Sequence, residues 1–163
     1  MLVVADATPL IALARIEHLD LLLTLFNKII IPEAVYDEVV FNAPNRPGAQ
    51  AVKKAEWIEI RQVADKNRVS YLRADLDSGE AEAIVLAEEL SANWLLVDEP
   101  KARLAAQLLG LRFIGTVGLL VLAKQQGYIA EVRPLLDALT SQNFYLSQRI
   151  YQAVLKQAEE LSS

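Results

Sequence analysis

Residues 94–110 read W-L-L-V-D-E-P-K-A-R-L-A-A-Q-L-L-G, and this stretch decides the fold. Trp94 to Val97 is a continuous apolar run, the pattern of a strand covered on both faces. It ends in an acid, Asp98. Pro100 suits the first turn of a helix, and Gly110 is the signal that stops one. Strand, acid, helix and glycine together make one unit of a parallel α/β sheet.

The unit recurs on both sides. Val3-Val4-Ala5-Asp6 is a short buried strand ending in an acid, and Thr8-Pro9 opens a helix with Thr8 as the expected N-cap. A second helical run spans Leu19–Phe26. Lys28–Ile31 is the next strand, closed by Pro32, which opens a helix from Glu33 to about Phe41. Asn42–Gly48, with two prolines and a glycine, is a loop. A short helix over 49–56 leads to a strand at Trp57–Arg61. The polar stretch Ala64–Ala74 carries no deciding period. Asp77-Ser78-Gly79-Glu80 has the form of a capping box and starts a helix to about Ser91. Leu111–Ile114 is the last strand, and Gly115–Gly118 turns into a helix ending near Gly127. Helices over 131–140 and 147–161 finish the chain. The expected fold is α/β: a three-layer α/β/α sandwich around a central, mainly parallel, twisted sheet. Residues 1–163 form a single domain in this reading, with extra C-terminal helices at about 131–161 packing on the core or on a second subunit.

Composition narrows the chemistry. The chain has no cysteine and one histidine, His18, so disulfides, thiolate metal sites and multi-His centres are excluded. A bound metal would need oxygen ligands, which points to Mg²⁺, Mn²⁺ or Ca²⁺. Sixteen basic residues against 21 acidic ones give a net charge of −5, which argues against a broad basic nucleic-acid surface. No apolar stretch is long enough to span a bilayer, and the N-terminus lacks the basic leader of a signal peptide. A cytoplasmic setting is expected, with no membrane partner.

In a parallel sheet Asp6 and Asp98 project at the same rim, where ligands bind. Each could equally be a turn former. Glu38 has Ala34, Val35 and Val39 as helical neighbours, beside the apolar face, where an unpaired carboxylate is costly; Asp37 points into solvent. Glu80 aligns with Ala83, Ile84 and Ala87, whereas Glu82 falls nearly opposite. Glu80 is therefore the better inward candidate, although completing the capping box would also explain it. A cluster of four carboxylates suits a metal pair that activates water and stabilises a leaving oxygen in phosphodiester cleavage, and it needs no His base.

Five segments in order, D-A-T-P-L-I-A-L-A, I-P-x-A-V-Y-D-E-V-V, D-S-G-E-A-E-A-I, L-L-V-D-E-P-K-A-R-L-A-A and G-T-V-G-L-L, resemble the PIN-domain superfamily, closest to a branch of toxin-like bacterial and archaeal proteins. The resemblance covers nearly the whole chain. It implies RNase activity with Mg²⁺ or Mn²⁺ held by Asp6, Glu38, an acid of the Gly79–Glu82 segment (Glu80, or secondarily Glu82) and Asp98. It implies Thr8 as an auxiliary hydroxyl, a homodimer, an RNA substrate and a small antitoxin protein as partner. Glu99 stands where the branch usually has a second Asp, and is a further candidate ligand. Lys101, Arg103 and Arg46 are candidate phosphate contacts; solvated surface charge is the simpler account of each, and of Arg68 and Arg73. A phosphoaspartate enzyme would need a second acid at Thr8, and a nucleotide-binding loop would need a lysine after Gly115–Gly118. The remaining rival is a PIN-like binding or regulatory module without catalysis.

Overall fold

The computed structural model describes residues 1–161; Ser162 and Ser163, the end of the expected domain, lie outside the described residues. The five apolar runs form β1 (Val3–Ala5), β2 (Ile29–Pro32), β3 (Ile58–Arg61), β4 (Trp94–Leu96) and β5 (Phe113–Ile114). They make one sheet in the order β3-β2-β1-β4-β5, every pairing parallel. Val3, Val4 and Ala5 stand opposite Trp94, Leu95 and Leu96, and Val4 also stands opposite Ile30.

The helices are α1 (Ala7–Arg15), α2 (Asp20–Phe26), α3 (Glu33–Tyr36), α4 (Pro47–Lys54), α5 (Lys66–Leu72), α6 (Ser78–Glu89), α7 (Pro100–Leu108), α8 (Thr116–Gln125), α9 (Arg133–Ser141) and α10 (Gln148–Gln157). Strand side chains alternate between two cores, as a period of two requires. Val3, Ala5, Ile29, Ile31 and Leu96 face α1, α2, α8, α9 and α10. Val4, Ile30, Leu95 and Val97 face α6 and α7. This is the three-layer α/β/α arrangement with a wholly parallel sheet. The chain builds outward from β1 to β3, then returns to place β4 on the other side of β1. The helix after β1 therefore goes to one face and the helix after β4 to the other, leaving a crevice between them.

Local structure differs from expectation in three places. First, α1 begins at Ala7, so its N-cap is Asp6 and not Thr8. The Asp6 N–H is taken by the Leu96 carbonyl at 2.9 Å, which continues the ladder past β1 and holds residue 6 extended (φ −81°, ψ 172°). The Asp6 side chain makes no cap bond, and Thr8 is exposed in the first turn. Second, the helix from Glu33 changes winding after Tyr36. Residues Asp37–Phe41 form a π-helical turn, closed by Asn42 N–H donating to the Asp37 carbonyl at 2.8 Å. Such turns recur at functional sites, and this one carries Glu38. Third, the polar stretch Ala64–Ala74 contains α5. Its order comes from α6: the Glu89 carboxylate accepts from the N–H groups of Ala64 and Asp65, and Glu88 holds Arg68 through two bonds of 2.8 and 3.0 Å. Arg68 is thus a structural cation, and none of these contacts leaves a periodic trace in the sequence.

The buried faces of α9 and α10 pack on the chain's own core through Leu135, Leu136, Leu139, Val154 and Leu155. A carboxylate latch secures them. Glu160 accepts from Val132 N–H at 2.6 Å, Arg133 N–H at 3.0 Å and Lys124 Nζ at 2.9 Å. Burial alone would push its pKa up, but the Val132, Lys124 and Arg133 donors outweigh that and hold it below the ordinary carboxylate value. A group whose folded pKa is depressed contributes stability above its unfolded pKa, and that contribution is lost as pH falls. Glu160→Gln should therefore cost about 1–3 kcal/mol at neutral pH. Urea denaturation should show the gap closing in acid, where the wild-type carboxylate is itself protonated.

Candidate functional site

Asp6 follows β1 at the rim of the sheet and is only 3% exposed. Its carboxyl is pushed from 3.8 to about 7: burial is the main cause, the Ala7 N–H opposes it, and Asp77, Glu80 and Glu38 add repulsion. No cation among the described residues forms a salt bridge with it.

Glu38 reaches Asp6 across Gly79. A side-chain carbon at Gly79 would lie 3.2 Å from Glu38 Oε1 and 3.3 Å from Asp6 Oδ1. Two carboxylate oxygens from different layers thus flank the bare Cα of the first turn of α6. The glycine makes room for both. Glu38 is itself exposed, yet its carboxyl is shifted upward by partial desolvation and by repulsion from Asp77 and Glu80.

The start of α6 supplies two more acids. Asp77 Oδ1 accepts from Glu80 N–H at 2.8 Å, and Glu80 Oε1 accepts from Asp77 N–H at 3.0 Å, the reciprocal capping box. Capping does not exhaust Glu80. It is buried, and its carboxyl is raised by desolvation, with Asp77 and Glu99 adding repulsion against the Asp77 N–H. Glu82 lines the recess beside Glu38 and Asp77 and accepts from Ala34 N–H at 3.2 Å, capping α3. Glu80 thus adds repulsion at Asp6, whereas Glu82 has the Ala34 N–H as a structural partner. Asp77, read in the sequence only as a cap, belongs to the cluster; a cap and a cluster member have the same local signature.

Asp98 occupies the other half of the crevice and is already engaged. Its Oδ1 accepts from Thr116 N–H at 2.8 Å and its Oδ2 from the Thr116 hydroxyl at 2.6 Å, so it caps α8. Arg103 Nη2 stands 3.7 Å from Oδ1, and Arg103 Nε donates to the Val97 carbonyl at 3.1 Å. Gly115 makes this possible, because a Cβ there would fall 1.8 Å from Arg103 Nη2 and 2.7 Å from Asp98 Oδ1. Thr116 escapes sequence reading because G-T-V-G looks like any helix start; only the partner identifies it.

Among the described residues, no three acids close on a common point a metal ion could fill. The donor set nonetheless suits a hard cation. All of it is oxygen, the Asp6 carboxylate is buried without a counter-charge, and the Gly79 gap is lined by two carboxylate oxygens. Glu99 is exposed at the head of α7 and repels Glu80, linking the two halves. Of the expected phosphate contacts, only Arg103 lies in the crevice. Lys101 faces Tyr71 and Leu104 on the other side of α7, and Arg46 stands apart, exposed ahead of α4. Arg73 instead lines the recess of Glu38, Asp77 and Glu82.

Fold and site together define an α/β/α protein with a carboxylate-lined crevice at the switch point of a parallel sheet. The chain belongs to the PIN-domain family: a family model described as a PIN domain matches residues 2–160. Members of that family are generally nucleases. No curated protein matches the chain.

The cluster should be a measurable liability without metal. Between 3.8 and about 7 the unfolded chain releases the Asp6 proton while the folded one keeps it, so stability falls as pH rises through that window and stays low above it. The displacement corresponds to roughly 4 kcal/mol. Asp6→Asn in EDTA should raise the melting temperature at pH above that window, with little gain in acid. Equal melting temperatures for both proteins at every pH would contradict this account.

Proposed function

We propose that this PIN domain is a Mg²⁺- or Mn²⁺-dependent endoribonuclease that hydrolyses RNA phosphodiesters at the crevice. The observation that carries the reading is the buried, unpaired Asp6 carboxylate meeting Glu38 across Gly79. Asp6, Glu38 and Glu80 would hold a divalent cation, with Asp98 and Glu99 completing the rim. A bound ion supplies Lewis-acid activation of water and charge neutralisation at the leaving oxygen.

The chain's own residues perform the rest. Thr116 fixes both oxygens of Asp98, so this carboxylate is presented in one orientation. Arg103 brings positive charge to the same rim, suited to a phosphate. Exposed Thr8, two residues after Asp6 in the first turn of α1, offers a hydroxyl to substrate or solvent. Like-charge repulsion at Asp6, Glu38 and Glu80 disfavours the empty site and favours cation uptake.

The resemblance to toxin-type PIN proteins supports extending the proposal to a toxin of a toxin–antitoxin pair, acting as a homodimer in the cytoplasm and restrained by a small antitoxin protein. No helix among the described residues is long and apolar enough to cross a membrane. One observation favours the rival reading of a non-catalytic binding module: Asp98 is committed to Thr116 and Arg103.

Cleavage separates the two. Purified protein incubated with mixed structured RNAs should cut in Mn²⁺ or Mg²⁺ and not in EDTA, and Asp6→Asn should abolish the cutting. Thr116→Ala should lower the rate about 10–100-fold, the usual cost of losing a group that orients a metal-binding carboxylate. Gly79→Ala should weaken Mn²⁺ binding by calorimetry, because the added methyl takes the space between Glu38 and Asp6. Folded protein that binds RNA but never cuts it would support the binding module.

A further inference from the structure

A cleft of about 800 Å³ shares Asp98 and Glu99 with the acid rim but none of the residues that line the Glu38 recess. One wall is a single stripe of α1, in which Thr8, Ala12 and Arg15 recur at i, i+4 and i+7. The far wall is the connection between α9 and α10, residues 142–147. We propose that Tyr145, on the α9–α10 connection, is the stacking platform of this cleft, where one unpaired base of an RNA strand leading to the acid rim covers its ring. The proposal rests on the nuclease reading and adds the side chain that grips a base of its substrate.

Tyr145 is 87% exposed, yet its support is rigid. At one end the chain leaves α9 with Asn143 in the left-handed region (φ 67°), and Phe144 N–H donates to the Leu139 carbonyl at 3.0 Å. At the other end the Ser147 hydroxyl accepts from Ile150 N–H at 3.1 Å and caps α10. Phe144 and Leu146 pack against the core on either side of Tyr145, so the intervening ring is turned outward. An aromatic ring held in water on a fixed backbone is a stacking platform that loses little freedom when a base covers it.

The rest of the cleft fits a nucleotide strand better than a peptide. Arg15 is exposed and has no acidic partner among the described residues. The Arg103 guanidinium lies 5.8 Å from the centre of the Phe113 ring. Gln142 and Asn143 offer amide groups suited to base edges. A duplex keeps its bases stacked and paired, so it cannot cover Tyr145. With two arginines in the cleft and a net charge of −5, phosphate neutralisation is a minor source of affinity. The salt dependence of binding should be shallow, with a log–log slope of about −1.4 for two contacts on a single strand.

The test is fluorescence anisotropy with a labelled short oligoribonucleotide of mixed sequence, single-stranded or annealed to its complement. It uses the intact chain in EDTA so that the strand is not cut. The single strand should bind more tightly than the duplex. Tyr145→Ala should weaken single-strand binding about 5- to 150-fold, with an unchanged melting temperature, and Tyr145→Phe should restore it. Equal affinity for both RNA forms, an unaffected Tyr145→Ala, or no binding at all would overturn the proposal; the last outcome would leave the cleft to a protein segment. Cleavage in Mn²⁺ is scored separately. Cutting with a KM indifferent to Tyr145 sinks this inference and spares the nuclease, whereas Tyr145-dependent binding without cutting does the reverse.

Discussion

The pairing of β1 with β4 positions everything at the crevice. Three residues of each strand lie in parallel register, and the Asp6 N–H extends the ladder one bond further onto Leu96. That last bond keeps residue 6 out of the helix that follows. It leaves the Asp6 carboxylate buried and without a counter-charge where the helices on opposite faces diverge. The same junction puts Asp98 two residues beyond β4, within reach of the first turn of α8. Moving β4 elsewhere in the sheet would separate the two aspartates and remove the gap.

The carboxylates gathered there are arranged against the stability of the empty protein. Asp6 is buried without a counter-charge, and its neighbours Glu38, Asp77 and Glu80 are of the same sign. Several carboxylates elsewhere have structural partners: Glu160 latches the C-terminal helices, Glu88 and Glu89 order α5, and Glu82 caps α3. Against those satisfied acids, the cluster at Asp6 is the exception, and local conflict of this kind is a mark of function. Its two halves are also differently prepared. The Asp6 half is crowded and repulsive, whereas the Asp98 half is fixed by Thr116 and Arg103.

The acidic balance of the chain and its membership of a family of nucleases are compatible once the sources of affinity are separated. A surface with a net charge of −5 cannot hold a polyanion by long-range attraction. Short-range contacts in a cleft can: a ring, amide groups and two guanidinium groups act at contact distance, and a divalent cation would reverse the local field at the rim. The α9–α10 connection matters here because its backbone is fixed at both ends while the Tyr145 ring stays in water.

The sequence by itself determined the strands, most helices and two of the acids. Continuous apolar runs ending in Asp6 and Asp98 have no other economical reading than buried parallel strands, and D-S-G-E carries its capping box locally. These are short-range patterns, written within a few residues. The helix at 66–72 was illegible because its order comes from Glu88 and Glu89, some 20 residues on. The N-cap of α1 shifted from Thr8 to Asp6 because a bond to β4, 90 residues away, holds Asp6 extended. Glu80 and Glu82 lie on one helix, and only the tertiary structure separates what stands opposite each: Asp77 and Glu99 repel the one, and the N–H of Ala34 donates to the other. It alone drew in Asp77, Thr116 and Tyr145, whose local sequences show a cap, a helix start and a loop. Partners across the chain decide such roles, and distance in sequence hides them.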